Sequence, residues 1–113
     1  MEKNKSYLGE FEEIVLLAVL RLDDNAYGVT IRHLIEEETG RSVSFGAVYT
    51  TLERLEKKGY VSSRQGESTP ERGGRAKRYF KVENAGLSAL EMAHATRTKL
   101  TRGLEAIVAG VRI

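Results

Sequence analysis

Cysteine is absent from the 113 residues, which excludes disulfide bonds and thiolate metal sites outright. A cysteine-free chain suits a reducing cytosol, although many secreted proteins also lack cysteine. Long apolar runs are missing too. The longest, IVLLAVL from Ile14 to Leu20, falls far short of the ~20 residues of a membrane-crossing helix. Glu12 and Glu13 precede it, where a secretory signal would carry positive charge, so a cytoplasmic protein without a membrane partner is expected. The two histidines, His33 and His94, are far apart in sequence, and no metal site is expected from them. No nucleophile stands beside a base, the glycines form no phosphate-binding fingerprint, and neither catalytic residues nor a cofactor are expected. Acidic pairs such as Glu12–Glu13 and Glu36–Glu38 read as helix surface. Internal repeats and low-complexity tracts are also lacking.

What is present is a soluble globular composition, 41% hydrophobic and 30% charged, with room for one domain and one modest core. The formal net charge is only +2, but its distribution is uneven: −5 over residues 1–40, +6 over 41–82 and +1 over 83–113. All the excess positive charge therefore lies in the middle segment, and much of it in TPERGGRAKRYF, residues 69–80. Clustered cations of this kind point to a polyanionic partner.

Hydropathy patterning predicts a helix over 9–22, with Phe11, Ile14, Val15, Ala18 and Leu22 on one stripe that Leu17 and Leu20 widen. Asp23, Asp24 and Asn25 break it and offer capping oxygens to the next segment. A second helix, AYGVTIRHLIEEET, places Tyr27, Ile31, Leu34 and Ile35 on one face and stops at Gly40. A third, SFGAVYTTLERLEKKG, is capped by Ser44 and ended by Gly59. Its Phe45, Val48, Leu52 and Leu55 share one quadrant. Thr50, Arg54 and Lys57 lie opposite with Gly46 and Ala47 at their edges, and Tyr49 sits on the border. YVSSRQG and RYFKV read as two short strands of a hairpin with a long polar link. From Asn84 a single helix of ~26 residues and ~39 Å is expected, its seam formed by Leu90, Ala93, Arg97, Leu100, Leu104, Ile107 and Val111. A second copy of the chain is the simplest cover for that seam.

Three helices, a hairpin and a long helix follow the order of a winged helix-turn-helix: an α+β fold, mostly α. The stretches EEIVLLAVL, AYGVTI, GAVYTTLERLEKKGYV and GGRAKRYFKVENAG resemble, in the same order, the PadR family of bacterial transcriptional regulators, especially its short members. The likeness spans roughly residues 9–90. It implies a homodimeric repressor whose third helix enters the major groove of double-stranded DNA while the wing grips the flanking backbone. It implies as well a C-terminal helix that packs with the partner's first helix, and in some members a small aromatic or lipophilic effector near the dimer interface. Residues 1–82 would be the DNA-binding domain and 83–113 the dimerisation helix, forming one compact unit. Where the family often has threonine capping the last helix, Glu83 stands, so Asn84 is expected to take the cap. Where it often has proline after the third-helix tyrosine, Thr50 stands, free to contact DNA.

The DNA-contacting set expected from this reading is Ser44, Gly46, Ala47, Tyr49, Thr50 and Arg54 on the helix and Arg72, Arg75, Lys77 and Arg78 on the wing. Small residues admit the backbone and hydroxyls to base edges and phosphates, threonine can meet a thymine methyl, and arginine can fork onto guanine. Tyr49 either donates to a phosphate or packs at the core border. Lys57 and Lys58 read as solvated helix-end cations. The dimer interface is expected at Phe11, Leu87, Leu90, Leu100, Leu104, Ile107 and Val108. Arg97 either reaches solvent or pairs with Glu91 or Glu105 of the second copy. The rival reading is a winged helix that senses a ligand or binds a protein without DNA.

Overall fold

The computed structural model describes residues 7–66 and 77–110. Helix α1 spans Glu10–Leu22, a 3-10 turn Asp23–Asn25, α2 Gly28–Thr39 and α3 Phe45–Lys57. Strands β1 (Val61–Gln65) and β2 (Arg78–Val82) come next, then α4 (Asn84–Thr101) and α5 (Glu105–Gly110). The strands pair antiparallel with Val61 opposite Val82 and Gln65 opposite Arg78. The Phe80 amide also donates to the Ala26 carbonyl at 2.8 Å, so the segment before α2 borders β2 on its other edge.

The core lies where α1, α2 and α3 meet the hairpin. Val15, Leu16 and Val19 of α1 close on Ile31 and Ile35 of α2, and on Val48, Leu52 and Leu55 of α3. Val61 and Phe80 seal it from the sheet side. The α1 stripe is rotated from the expected one. Leu16 and Val19 are buried, whereas Leu17 and Leu20 remain 47% and 44% exposed. On α3, Phe45 of the expected quadrant stands at the helix start and is 45% exposed. Its ring covers Gly28, where a Cβ would stand 2.5 Å from the ring, and Thr51 is buried in the helix interface instead.

Two acidic residues expected at the surface are structural. Glu12 is 7% exposed; it accepts the Gly9 amide at 2.8 Å and the Lys58 ammonium at 2.9 and 3.0 Å. Lys58 is thus not a free helix-end cation but the tie between α1 and the end of α3. Glu36 accepts the Val43 amide at 3.0 Å while Arg32 donates to the Val43 carbonyl at 3.0 Å. Both peptide groups of Val43 are held, which fixes the turn between α2 and α3.

Caps and stops follow the sequence in part. Ser44 accepts the Ala47 amide at 3.0 Å, and Gly40 ends α2 at φ 72°, a left-handed value that glycine adopts without steric cost. The Asp23–Asn25 side chains do not cap α2; the Tyr27 amide finds the Thr30 hydroxyl at 3.0 Å. Helix α4 begins at Asn84 with Glu83, not Asn84, in the capping position. The Glu83 amide donates to the Tyr60 carbonyl at 2.8 Å, and its carboxylate accepts the Ser62 hydroxyl. Position 83 is fixed by the sheet end, which leaves no slack for a one-residue shift.

The C-terminal segment is not one helix. It stops at Thr101, turns through Arg102 at ψ 128° and Gly103 at φ 83°, and resumes at Glu105. The Thr101 carbonyl takes the Leu104 amide at 2.7 Å within the turn. Leu90, expected between two copies, is 9% exposed within this chain's own core. Arg97 pairs with Glu13 of the same chain at 3.1 Å, because α4 lies across α1 and brings the two within reach.

Candidate nucleic-acid interface

Helix α3 is amphipathic because apolar residues recur at positions 48, 52 and 55, which a 3.6-residue turn gathers on one side. The opposite side presents Ser44, Gly46, Ala47, Thr50, Glu53, Arg54 and Lys57, all exposed. No bulky apolar side chain interrupts them. Thr50, Glu53, Arg54, Glu56 and Lys57 line a shallow open depression of that face. Ser44, Gly46, Ala47, Thr50 and Arg54, expected at the DNA, are all exposed; Glu53, a carboxylate among the cations, was not among the residues expected there.

The hairpin splits its charges between two faces. Side chains alternate along a strand, and the register puts Ser62, Arg64, Tyr79 and Lys81 on one face and Val61, Ser63, Phe80 and Arg78 on the other. Arg64, Lys77 and Lys81 are exposed. Arg64 lies over the Tyr79 ring at 4.8 Å and Lys77 over the Tyr27 ring at 4.9 Å, while the two rings meet edge to face at 5.3 Å. Cation–π contact holds both cations in place at the wing root without neutralising them. Gly66 belongs to this cluster, since a Cβ there would come within 2.6 Å of the Tyr79 ring. Arg64 escaped the sequence reading, although the alternation of β1 would have placed it opposite Ser63.

Arg78 faces inward. Its guanidinium donates to Glu56 at 2.6 Å and to the Ser63 hydroxyl at 3.1 Å, and Ser63 donates to the other Glu56 oxygen at 2.9 Å. It also lies 5.8 Å from the centre of the Tyr49 ring and 5.1 Å from that of Phe80. Burial works against its charge, but the Tyr49 hydroxyl and the Glu56 carboxylate outweigh burial and raise its proton affinity. Tyr49 is half-buried at the border of the two faces, stacked on Phe45 at 5.5 Å and edge-on to Phe80 at 6.1 Å. Arg72 and Arg75 lie outside the described residues.

Among the described residues no group of histidine, aspartate and glutamate is arranged to hold a metal, and no helix is long and apolar enough to cross a membrane.

A tri-helical core with a fixed turn between its second and third helices, an open third-helix face and a hairpin beside it define a winged helix-turn-helix. The chain belongs to the Transcriptional regulator PadR-like family, whose model matches residues 16–92. Among solved structures it is similar to a PadR-like transcription factor from Bacteroides fragilis, with 23% identity, 86% of this chain and 88% of that one covered, and a TM-score of 0.69. It is similar also to a PadR family transcription regulator from Clostridium difficile, at 21% identity, 87% and 98% coverage and a TM-score of 0.63. Bacillus subtilis PadR in complex with operator DNA matches at 21% identity over 73% of this chain and 45% of that one, with a TM-score of 0.60. Comparison with proteins of curated function finds no significant match.

Proposed function

We propose that this transcriptional regulator binds double-stranded DNA as a homodimer in the cytoplasm and represses transcription from a pseudo-palindromic operator. The observation that carries the reading is the open face of α3, small residues and Arg54 without apolar bulk, together with exposed cations at the wing root. Residues 1–82 form the DNA-binding unit. Ser44, Gly46, Ala47, Thr50 and Arg54 meet the major groove, with Tyr49 at its margin. Lys77 and the link that carries Arg72 and Arg75 follow the adjacent backbone. Residues 83–113 bring two copies together, so that the recognition helices stand about one turn of DNA, ~34 Å, apart. The Bacillus subtilis relative, solved on its operator, supports this assignment by its shared fold.

Fluorescence anisotropy of labelled duplexes at several salt concentrations tests it. Affinity should fall steeply with salt, because each neutralised phosphate contributes ~0.9 to the logarithmic slope. A flat dependence would leave the winged helix as a sensor of ligand or protein only. Arg54→Ala should cost about 1–3 kcal/mol on the preferred sequence and little on random duplex. Equal losses on both would mean that Arg54 holds phosphate only.

The dimer reading rests on exposed apolar side chains that a soluble monomer rarely strings together. Leu100 is 74% exposed and Ile107 66%, and Leu87, Leu104 and Val108 accompany them. Phe11 on α1, expected at the same interface, is half-buried and packs against the chain's own core. Sedimentation at micromolar concentration should give twice the chain mass, and Ile107→Asp should shift it toward one chain mass. A wild-type monomer would refute the dimer. A cleft of about 790 Å³ between the N-terminal segment, α1 and α4, lined by Tyr7, Tyr60 and Met92 as well as Lys58 and Arg97, suits a small aromatic or lipophilic effector whose binding releases DNA.

A further inference from the structure

Of the neighbouring wing-root cations Lys77 and Arg78, Lys77 is exposed, whereas Arg78 is partly buried and paired with Glu56. We infer that Arg78 is a positioning residue: with Glu56 and Ser63 it bolts the wing to the recognition helix and sets the angle at which both meet DNA. This inference rests on the DNA-binding reading above.

The geometry supports it at each link. Arg78 opens β2, the strand that returns from the wing. Ser63 sits on β1 and Glu56 near the end of α3. One carboxylate therefore closes a ring of three hydrogen bonds, 2.6, 2.9 and 3.1 Å long, that spans three elements. Each Glu56 oxygen is used once, so the carboxylate cannot rotate without breaking a bond to one strand or the other. The guanidinium also lies against Tyr49 of α3 and Phe80 of β2, which fixes its plane as well as its charge. Both charged side chains are about one-third exposed. Water therefore reaches the ring, and its hold comes from geometry: Nε and Nη2 of Arg78 point at Ser63 and Glu56.

The sign of the Glu56 effect separates this role from direct contact. By charge alone, removing a carboxylate beside a DNA-binding face should tighten binding. Positioning demands the reverse: Glu56→Gln should weaken operator binding roughly tenfold. Arg78→Met should weaken it by a similar factor, and the double variant should be little worse than either single one, because both break the same ring. In all three the salt slope should stay at the wild-type value, whereas Lys77→Ala should lower it by ~0.9. Tighter binding by Glu56→Gln, or a lowered slope in Arg78→Met, would overturn the assignment.

A measurement without DNA keeps the two readings distinguishable. Hydrogen exchange of the β1 and β2 amides should quicken about tenfold in Glu56→Gln while the amides of α1 and α2 keep their rates. Unchanged strand exchange sinks the bolt. If the wild-type protein binds no duplex, the exchange result still decides whether Glu56 and Arg78 fix the wing, and the DNA-binding reading fails separately.

Discussion

Glu12→Gln is expected to lower the unfolding free energy by about 3 kcal/mol, the lower end for breaking a buried ion pair, and the melting temperature by roughly 12–18 °C. The carboxylate is nearly enclosed and accepts three hydrogen bonds at once: one from the Gly9 amide and two from the Lys58 ammonium. The side chain of Lys58 is 23% exposed, so it can relax partly toward water when its partner loses charge, which keeps the cost from being larger. The pH dependence comes from the same site. Burial tends to raise the Glu12 carboxyl, but the Gly9 amide and Lys58 outweigh burial and hold it below its ordinary 4.5. A group with a depressed folded-state pKa stabilises fully above its unfolded value and loses that contribution as pH falls through the folded one. Wild-type stability should therefore drop below about pH 4.5, and the acid limb of Glu12→Gln should be shallower. Chemical denaturation at pH 7 and at pH 3.5 measures both. An equally steep acid limb in the variant would remove Glu12 as its source.

Gly86→Ala should destabilise the fold by about 2–3 kcal/mol, the scale of overpacking a tight contact, although the same change in an exposed helix gains up to ~1 kcal/mol. The difference in sign comes from one contact. A Cβ at position 86 would press against the Tyr60 carbonyl oxygen and stand 2.9 Å from Val82 Cγ1. The carbonyl cannot retreat, because it accepts the Glu83 amide at 2.8 Å. Helix α4 must then tilt away from the sheet end, and with it moves the surface proposed to join two copies. Gly46→Ala is the matched control. Its nearest neighbour would be Ser44 Oγ at 4.0 Å, so the fold should gain a few tenths of a kcal/mol from helix propensity. Thermal unfolding of the two variants side by side should show shifts of opposite sign. A stabilised Gly86→Ala would mean that α4 is not seated as described.

Much of this architecture was legible in the residues because local chemistry specified it. Ser44 and Gly40 mark a helix start and a helix stop by hydrogen bonding and backbone freedom alone. The 3.6-residue period of Val48, Leu52 and Leu55 orients α3, and RYFKV delimits β2 to the residue. The open face of α3 came with that period, since a residue's side of a helix depends only on its spacing from its neighbours. The motifs that resemble the PadR family lie within these same local elements.

The departures lie where partners distant in sequence decide the outcome. Glu12 looks like helix surface until α3 brings Lys58, forty-six positions away, onto it. Arg97 reads as an interruption of an apolar seam until α4 crosses α1 and supplies Glu13. Leu16 and Val19 displace Leu17 and Leu20 from the core, because the faces that α2 and α3 present to α1 select its buried side. Net charge treated Lys77 and Arg78 alike, yet strand pairing sends one outward and the other into a ring closed by Glu56 and Ser63. The sequence alone therefore determined the first three helices, the strands and which face of α3 is free, whereas the break at Gly103 in the C-terminal helix emerged only in the structure. The tertiary structure decided which charges remain available, because a charge is neutralised by what lies within a few ångströms in space, and spacing along the chain does not carry that information.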